Sequence, residues 1–416
     1  MRALYTLLLY LLTPLVLLRL VWRGFELRDY WYRWSERFGF VPAAREPVAV
    51  WVHAVSVGES LAAMPLIQAL IDRHGERRVL VTTTTPTGSA RVSAQLGERV
   101  LHSYAPYDLP GVVARFLDRM QPRQVVIMET ELWPNLFHAL ARRGVPLFVV
   151  NARLSPNSFR GYSRVRGFAA STLGDCTQVA AQSEADAGRF RSLGAPRVSV
   201  MGNIKFDMAV PDAQRQLGRR LRAALGGRPA WIAASTHEGE EAAALAAHRE
   251  LLRSRPDALL ILVPRHPQRF DGVAKLVEKS GLSMQRRSQL DFEASASATQ
   301  LLLGDSMGEM FAYFAAADLA FVGGSLVPVG GHNVLEPAAL GLPVLFGPQM
   351  HNFIAARDLL LGAQAAVQVA DAAELAAELE ALLREPARRA AMGEAGRLAV
   401  EANRGALQRL LALLGA

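Results

Sequence analysis

The sequence has a single cysteine, Cys176, among its 416 residues, so no disulfide can form within the chain. It has no G-x-x-x-x-G-K-[ST] phosphate loop, no G-x-S-x-G elbow and no His/Cys spacing of the kind that holds zinc. These absences exclude P-loop enzymes, α/β-hydrolases and zinc-finger domains, and they give Ser/His/Asp and Cys/His catalysis no support. The near absence of cysteine fits a reducing compartment.

The charge of the chain is biased towards positive. Lys and Arg number 46 against 38 Asp and Glu, a formal net charge of +8. This bias favours anionic partners: phosphorylated ligands, acidic membrane surfaces or nucleic acid. No RNP strand, zinc finger or basic-region helix occurs, so nucleic acid is the weakest of the three and we predict no nucleic-acid partner. With 416 residues, 51% of them hydrophobic, the chain is expected to form two domains.

The N-terminal segment is strongly apolar. Residues 3–18 carry no charge, and Leu20–Trp22 extend the apolar run past Arg19. A helix over residues 3–18 is roughly 24 Å long, a little short of a bilayer core of about 30 Å. The segment that follows, LRLVWRGF, lacks the small-x-small site of a cleaved signal peptide. We therefore predict a membrane anchor over residues 1–24, with a buried core helix as the alternative.

Arginine is distributed unevenly around this segment. Arg2 precedes it, whereas five arginines follow it: Arg19, Arg23, Arg28, Arg33 and Arg37. By the positive-inside rule, the large C-terminal part then lies in the cytoplasm. The sequence leaves open whether the segment spans the bilayer or lies in one leaflet.

From residue 47, apolar runs of strand length alternate with helix-like stretches, which predicts an α/β fold with parallel sheets. A charged stretch at 203–226 has no strand-like run, and the alternation restarts after it. We therefore predict two doubly wound domains, 25–205 and 215–416, joined by a linker at 206–214. The predicted strands are Val48–His53, Val79–Thr84, a short one ending within His102–Tyr107, Gln124–Met128, Leu147–Val150, Thr177–Ala181, Val198–Met201, Trp231–Ala234, Leu259–Val263, Leu301–Leu303, Leu319–Val322 and Val344–Phe346.

Unusual polar loops follow many of these strands. In parallel sheets, ligands bind beyond the carboxyl ends of the strands. The loops of the first domain are SVGES, TTPTG, ETELWPN and NARLS, and those of the second are STHEGE, PRHP, GDSMGEM and GGHN. The two sets are expected to face a cleft between the domains.

The stretch FVGGSLVPVGGHNVLEP begins as a strand and contains two glycine pairs. A strand, a glycine-rich loop and a helix N-terminus build an anion site from bare backbone N–H groups and the positive helix end. Glu336, expected about one turn inside the helix, could bind ribose hydroxyls. We predict a sugar-nucleotide site here, with Gly330, Gly331 and Asn333 among its contacts. The alternative is a tight turn that needs glycine for backbone reasons.

Glu59 lies in SVGES at a predicted helix start. Gly58 permits a tight approach, and the helix N-terminus is expected to favour the ionised carboxylate. Such a carboxylate suits general-base catalysis on an attacking hydroxyl. The alternative is an ordinary surface charge in a first helical turn. Ser56 and Ser60 are better explained as caps than as ligand contacts.

Glu129 and Glu131 end a strand at i, i+2 spacing. They could recognise sugar hydroxyls or position a basic partner; E-x-E is weak as a metal motif, and a structural role for at least one is the alternative. Lys205 lies between apolar neighbours in NIKFD, where a cation could neutralise charge on a leaving phosphate. A solvated surface lysine is the alternative.

Three loops of the second half contain candidate ligand contacts. Arg265 and His266 follow the strand LLILV, and an arginine fork there suits phosphate. Residues 307–309 are available for a base or a ribose, and residues 235–237 follow the strand WIAA. Turns and caps are the alternative for each, but their convergence on one sheet edge strengthens the prediction.

Together these segments resemble the bacterial 3-deoxy-D-manno-octulosonic acid (Kdo) transferases of lipid A assembly over nearly the full length. ETELWPN and GGHNVLEP are individually close to specific. The segments that carry the resemblance are HAVSVGES, TTTTPTGSARV, YAPYDLP, IMETELWPNL, NARLS, NIKFD, ASTHEGEE, LILVPRHPQRF, GDSMGEM and AFVGGSLVPVGGHNVLEPA.

The resemblance implies a GT-B fold, with the acceptor bound by the N-terminal domain and CMP-Kdo by the C-terminal domain. It implies transfer of Kdo from CMP-Kdo to the tetraacylated, bisphosphorylated precursor lipid IVA, with inversion and with no metal or other cofactor. It also implies a helical anchor that places the enzyme on the cytoplasmic face of the inner membrane.

The resemblance further implies that Glu59 is the general base and that Glu129 and Lys205 stabilise the transition state. The implied CMP-binding positions are Arg265, His266, Met307, Gly308, Glu309, Asn333, Val334, Leu335 and Glu336. Further donor or acceptor contacts are predicted at Ser56, Gly58, Glu131, Ser235, Gly330 and Gly331. Two other functions are weighed against this one: a GT-B sugar-nucleotide epimerase, and a membrane-tethered lipid-phosphate binding protein without catalysis.

Overall fold

The computed structural model of the chain describes residues 1–208, 210–292 and 299–415. Ala209, in the predicted linker, and Ala416, in the predicted second domain, lie outside the described residues. The contacts of the chain divide it into two compact units. The first comprises residues 1–207 and 404–416, and the second comprises residues 208–403. The domain boundaries drawn from the sequence stay a prediction.

The first unit is built on a parallel sheet of seven strands in the order β3-β2-β1-β4-β5-β6-β7. Parallel strands are covered on both faces, so they read as continuous apolar runs, and VWVH, VLVTT and VVIM are buried throughout. The strands are Val50–His53 (β1), Val79–Thr83 (β2), Leu101–Tyr104 (β3), Val125–Met128 (β4), Leu147–Ala152 (β5), Gln178–Ala181 (β6) and Val198–Val200 (β7).

Helices of the first unit alternate with these strands. Several helices begin one to three residues before their first periodic apolar residue. The reason is that a proline or a Ser/Thr cap sets the first residue of the helix. They are Arg2–Glu26 (α1), Trp34–Arg37 (α2), Val57–His74 (α3), Pro86–Leu96 (α4), Pro110–Met120 (α5), Pro134–Arg142 (α6), Pro156–Ser163 (α7), Arg166–Gly174 (α8) and Glu184–Ser192 (α9).

The second unit repeats this design with a parallel seven-stranded sheet in the order β10-β11-β9-β8-β12-β13-β14. Its strands are Ala230–Thr236 (β8), Leu259–Pro264 (β9), Met284–Arg286 (β10), Leu301–Leu303 (β11), Leu319–Val322 (β12), Val344–Phe346 (β13) and Ala366–Gln368 (β14). Its helices are Asp212–Ala224 (α10), Glu240–Ser254 (α11), Phe270–Ser280 (α12), Met310–Ala316 (α13), Leu335–Ala339 (α14), Ile354–Gly362 (α15), Ala372–Arg384 (α16) and Pro386–Ala402 (α17).

The last helix, Ala406–Leu413 (α18), belongs to the first unit. Its Leu410, together with the following Leu414, joins the core between α3 and the sheet. The Asp207 carboxylate accepts hydrogen bonds from the backbone N–H groups of Gly405 and Leu407, which fixes the point where the chain returns. The sequence had placed all terminal helices in the second domain, because α18 has the same Ala/Leu-rich composition as α16 and α17.

Helix α1 is long and apolar enough to cross a membrane by length and composition. Only 6% of its most apolar window is buried, which contradicts the alternative of a core helix. The exposed apolar helix is the observation that supports a membrane association.

Candidate active site

The candidate site of the first unit lies where the strand order reverses. Strands β1 and β4 are neighbours, and the chain runs outward from them in opposite directions. Such a switch point leaves a crevice at the carboxyl ends of its two strands. Glu59 follows β1 and Glu129 follows β4, so the fold brings these two carboxylates to one place.

The Glu59 carboxylate is held by the N-terminus of its own helix. Ser56 caps α3 by accepting a hydrogen bond from the Glu59 N–H, 3.4 Å away. In return, Glu59 accepts hydrogen bonds from the Ser56 hydroxyl and the Val55 N–H, both at 2.9 Å. Ser56 therefore acts as the predicted cap, and Glu59 has a structural partner set as well as a candidate catalytic role.

Burial changes the proton affinity of Glu59. The pKa of Glu59 is raised by burial first and also by the charges of Glu129 and Glu131, against the lowering effect of its Val55 and Ser56 hydrogen bonds. The hydrogen bonds at the helix start favour the ionised form, but burial outweighs them and the net shift of the Glu59 pKa is upward. A carboxylate whose pKa is moved towards neutrality is a stronger base once it has lost its proton.

Glu129 has a left-handed backbone and a cationic neighbour. Its φ is 57°, which is uncommon for a residue other than glycine and tends to occur at functional sites. Its Oε1 lies 3.6 Å from Lys205 Nζ, and both side chains are partly exposed. The structure thus brings Lys205, 76 positions later in the sequence (205 − 129), to the predicted carboxylate.

Asn151 and Asn203 orient the segment that carries Lys205. Asn151 Oδ1 accepts the Ile204 N–H at 3.1 Å, and Asn203 Oδ1 accepts the Lys205 N–H at 3.0 Å. Asn151 itself has a φ of 49°, a conformation that asparagine tolerates better than most residues. We assigned Asn151 no role from the sequence, although an asparagine directly after the predicted apolar run Leu147–Val150 is a signal for such a position.

Glu131 is engaged by its own loop. Its Oε2 accepts a hydrogen bond from Trp133 Nε1 at 2.8 Å, and the Trp133 ring packs on His53 with centroids 4.9 Å apart. Burial raises the pKa of Glu131, and the Trp133 hydrogen bond opposes that rise. Glu131 therefore has a structural role in shaping the loop, and its predicted ligand contact stays a prediction.

In the second unit, Glu240 organises the glycine-rich loop. This side chain is 1% exposed. Its carboxylate accepts hydrogen bonds from the N–H groups of Gly324, Ser325 and Leu326 at 2.7 to 2.9 Å and from the His237 N–H at 2.9 Å. The bare N–H groups expected in this first part of the loop are therefore already bound by a carboxylate of the protein.

Backbone geometry accounts for the second glycine pair. The N–H groups of Gly330 and Gly331 both bond to the Gly324 carbonyl, and Gly330 has a φ of 108°. A Cβ at Gly330 would lie 2.3 Å from Asn352 Nδ2, and the positive φ is strained for any residue with a side chain, so the backbone favours glycine here. The turn interpretation thus has direct support at this pair, and ligand contact by Gly330 and Gly331 stays a prediction.

Asn333 and Glu336 form one unit at the start of α14. Asn333 Nδ2 donates to Glu336 Oε1 at 3.1 Å, and Asn333 Oδ1 accepts the Leu335 N–H at 3.2 Å. Glu336 is the second residue of α14, not one turn inside it, and burial raises its pKa. The side chains of Val334 and Leu335 are in the core, so a ligand would meet their backbone.

Three histidines cluster near Arg265. His237 and His332 are stacked with an Nε2–Nε2 distance of 2.8 Å, and the His266 ring lies 5.4 Å from His237. The pKa of His332 is lowered to about 4 by burial first, and then by Arg265 and the two other histidines. The exposed Arg265 is thus a permanent cation beside this cluster.

The remaining predicted contacts lie at the same sheet edge. Met307 and Gly308 are exposed after β11, which neighbours β9. Glu309 accepts hydrogen bonds from Arg287 at 2.9 Å and from the Ser306 hydroxyl at 2.5 Å, so part of its bonding capacity is used. Ser235 is half-buried at a register shift near the end of β8. Across the described ranges, no group of three His, Cys, Asp or Glu residues is placed to hold a metal ion.

Replacing Glu240 by glutamine is expected to destabilise the second unit. The NH2 group of the glutamine would face two backbone N–H groups that now donate to one carboxylate oxygen. Each buried donor left unsatisfied costs about 1–3 kcal/mol. Urea unfolding followed by fluorescence should show a transition at a lower urea concentration. The folded variant should also bind nucleotide more weakly. Glu238→Gln is the matched control, because Glu238 is exposed in the same loop. Equal stability of the two variants would contradict the organising role of Glu240.

The chain is similar to proteins of one family along nearly its whole length. A family model described as "3-Deoxy-D-manno-octulosonic-acid transferase (kdotransferase)" matches residues 32–208. A 3-deoxy-D-manno-octulosonic acid transferase of Haemophilus influenzae is 42% identical over 421 residues, which cover 99% of this chain and 98% of that protein. A protein of the same name from Bordetella pertussis is 42% identical over 426 residues, with 99% and 98% coverage.

Solved structures share the fold at much lower identity. A glycosyltransferase from Rickettsia africae matches with a TM-score of 0.56 at 13% identity, covering 88% of this chain and 97% of that one. At this identity the likeness concerns the fold alone. The predicted class, two doubly wound parallel-sheet domains of GT-B type, is confirmed.

Proposed function

We propose, from the premise that this chain belongs to the 3-deoxy-D-manno-octulosonic acid transferase family, that it moves Kdo from CMP-Kdo to lipid IVA. Membership of the family makes it a glycosyltransferase that handles Kdo in lipopolysaccharide synthesis. The acceptor, the inverting course and the base are the finer parts of the proposal. The observation that supports them most is a half-buried Glu59 with a raised pKa near the Glu129–Lys205 pair.

In the proposed reaction, Glu59 accepts the proton of an acceptor hydroxyl as its oxygen attacks the anomeric carbon of Kdo. The new carbon–oxygen bond forms on the face opposite the bond to the CMP phosphate, so the configuration inverts. The phosphate oxygen takes the electron pair of the broken bond, and CMP leaves. Lys205 supplies positive charge against the negative charge that develops, and Glu129 holds Lys205 in place. Every step uses side chains of this protein, with no cofactor.

The proposed CMP-Kdo contacts come from the second unit: Arg265, His266, Met307 to Glu309 and Asn333 to Glu336. Arg265 is exposed at the carboxyl end of β9 and suits a phosphate. Its charge also acts on Glu336, which indicates that the two groups are near each other. A cation for phosphate beside a carboxylate for ribose hydroxyls is the pair of groups that a nucleoside monophosphate requires.

Glu336→Ala is expected to weaken CMP binding by about 10- to 100-fold, because a charged hydrogen-bond acceptor for the ribose is lost. Isothermal titration calorimetry with CMP measures the change, and Glu336→Gln tests whether the charge itself is needed. Glu278→Ala, an exposed glutamate on α12, is the control. An unchanged dissociation constant for Glu336→Ala would remove the ribose role.

We also propose that α1 anchors the enzyme to the inner membrane, with the catalytic units on the cytoplasmic face. A lipid-embedded acceptor and the net charge of +8 support this location. The two other functions, an epimerase and a non-catalytic lipid-phosphate binder, are separated from a transferase by one assay. Purified protein is mixed with CMP-Kdo and lipid IVA, and CMP release is followed together with the mass of the lipid. We expect both CMP release and a Kdo mass gain; release without lipid, or no release, would overturn the proposal.

A further inference from the structure

Helix α1 has two faces of different character. Along one face, side chains at helical spacing are partly or fully covered: Tyr5, Thr6, Leu9, Thr13, Leu17, Leu20 and Gly24. The remaining surface is apolar and exposed: Leu4, Leu7, Leu8, Leu11, Leu12, Leu15, Val16, Leu18, Val21, Trp22 and Phe25. A soluble monomer rarely exposes such a contiguous apolar surface unless it is an interaction site.

The first turn of α1 is hydrogen-bonded to the first unit. The Tyr5 hydroxyl donates to Asp108 Oδ2 at 2.9 Å, and the Thr6 hydroxyl donates to Asn135 Oδ1 at 3.1 Å. The Tyr5 ring also packs on Phe168, with centroids 5.5 Å apart. Residues more than 100 positions apart in sequence are thereby joined, so the start of α1 is fixed to the domain.

The last turns of α1 are fixed to the same unit. Trp31 Nε1 donates to the Val21 carbonyl at 2.9 Å, and Gly24 leaves room for the Trp31 ring, which a Cβ there would penetrate. Two residues further on, Arg33 donates to Ser89 Oγ at 2.9 Å. Both ends of the helix therefore lie on the same side of any membrane that the unit does not itself cross.

We propose that α1 does not span the bilayer but lies along the surface of an anionic phospholipid membrane, with its exposed apolar face in one leaflet. A helix of 25 residues is roughly 37 Å long, so a spanning orientation would carry the first turn to the far side of a core of about 30 Å. That orientation would break the Tyr5–Asp108 and Thr6–Asn135 bonds. In-plane helices with an apolar face and flanking cations bind anionic lipid surfaces, and Arg2 and Arg28, at the two ends of α1, are exposed here.

The docked helix is linked to the candidate site. Asp108 also accepts the N–H groups of Asn135 and Leu136, at 3.0 and 2.7 Å, and so caps α6. Helix α6 begins directly after the loop that contains Glu129, Glu131 and Trp133. One carboxylate thus joins the membrane-facing helix to the loop that would meet a lipid acceptor.

Cysteine labelling tests the topology, because the single native cysteine is buried. In a Cys176→Ala background, one cysteine is placed in a hydrophilic extension before Met1, and a second protein carries Glu98→Cys on the exposed surface of the first unit. A membrane-impermeant maleimide is applied to spheroplasts and to inverted inner-membrane vesicles. We expect both cysteines to be labelled only in inverted vesicles. Labelling of the extension in spheroplasts, with Glu98→Cys labelled only in inverted vesicles, would overturn the proposal.

Vesicle binding tests the lipid surface. The full chain is expected to bind vesicles of phosphatidylethanolamine with phosphatidylglycerol, and the double variant Leu8→Glu/Leu15→Glu to bind at least about tenfold more weakly. Leu398→Glu, an exposed leucine of α17, is the control. Failure of the wild type to bind, or an equal loss in the control, would overturn the docking surface. This inference rests on the proposed membrane association and not on the reaction, so transfer to detergent-dispersed acceptor would remain if it failed.

Discussion

Glu59→Gln is expected to lower the rate of Kdo transfer by about 10²- to 10⁴-fold, the usual contribution of a general base. The amide cannot accept a proton from the acceptor hydroxyl. Its oxygen can still accept one of the two hydrogen bonds that Ser56 and Val55 donate to Glu59, so α3 keeps most of its cap. The affinity for CMP-Kdo should be unchanged, because the proposed donor contacts belong to other residues. Single-turnover rates and calorimetric donor binding measure the two quantities separately.

A second serine cap with a carboxylate three residues later supplies the control. Ser183 caps α9 and its hydroxyl donates to the Asp186 carboxylate, as Ser56 does to Glu59. Asp186→Asn should therefore reduce stability without a specific loss of transfer by the folded protein. The wild-type rate should rise with pH through a pKa above that of an ordinary glutamate, since the base is active only after it has lost its proton. Retained turnover in Glu59→Gln would remove Glu59 as the base.

Lys205→Ala is expected to reduce turnover by about 10²- to 10³-fold, the size of effect seen when one group that stabilises transition-state charge is removed. It also leaves Glu129 without the ammonium 3.6 Å away. The loss should appear in kcat more than in KM for the donor, because the proposed interaction is made in the transition state. Saturation kinetics with CMP-Kdo give both values.

Lys275→Ala is the matched control, because Lys275 is an exposed lysine on α12. Lys205→Arg keeps the charge but not the geometry and should recover part of the rate. An unchanged kcat in Lys205→Ala would contradict the proposed charge stabilisation. A loss confined to KM would indicate a ground-state binding role instead.

The strands could be predicted because parallel sheets bury them on both faces. Each strand predicted from an apolar run corresponds to an observed strand between β1 and β13. The two strands that were missed, Met284–Arg286 and Ala366–Gln368, are three residues long and lie at opposite edges of the second sheet. An edge strand has one neighbour and can be polar and short, so periodicity does not distinguish it from a loop.

The candidate site could be predicted in its parts but not in its contacts. The rule that polar loops gather at the carboxyl ends of parallel strands brings Glu59 and Glu129 to one edge, since β1 and β4 are neighbours. Lys205 was expected at the seam between the domains, and only the three-dimensional contacts show it 3.6 Å from Glu129. The glycine-rich loop was expected to offer bare N–H groups to a ligand, which is wrong at Gly324. Its N–H donates to the Glu240 carboxylate, which lies 84 positions earlier in the sequence. The sequence HEGEE offers several glutamates, and only the three-dimensional contacts identify the one that organises the loop.

The return of α18 to the first unit has a consequence for synthesis. The chain leaves this unit after residue 207 and re-enters it at 404, so 196 residues (403 − 207) are translated in between. At about 5–20 residues per second, that interval lasts roughly 10–40 s. Leu410 and Leu414, which pack in the core with α3, are translated only after that interval. The nascent first unit therefore lacks this part of its core until the second unit has been translated.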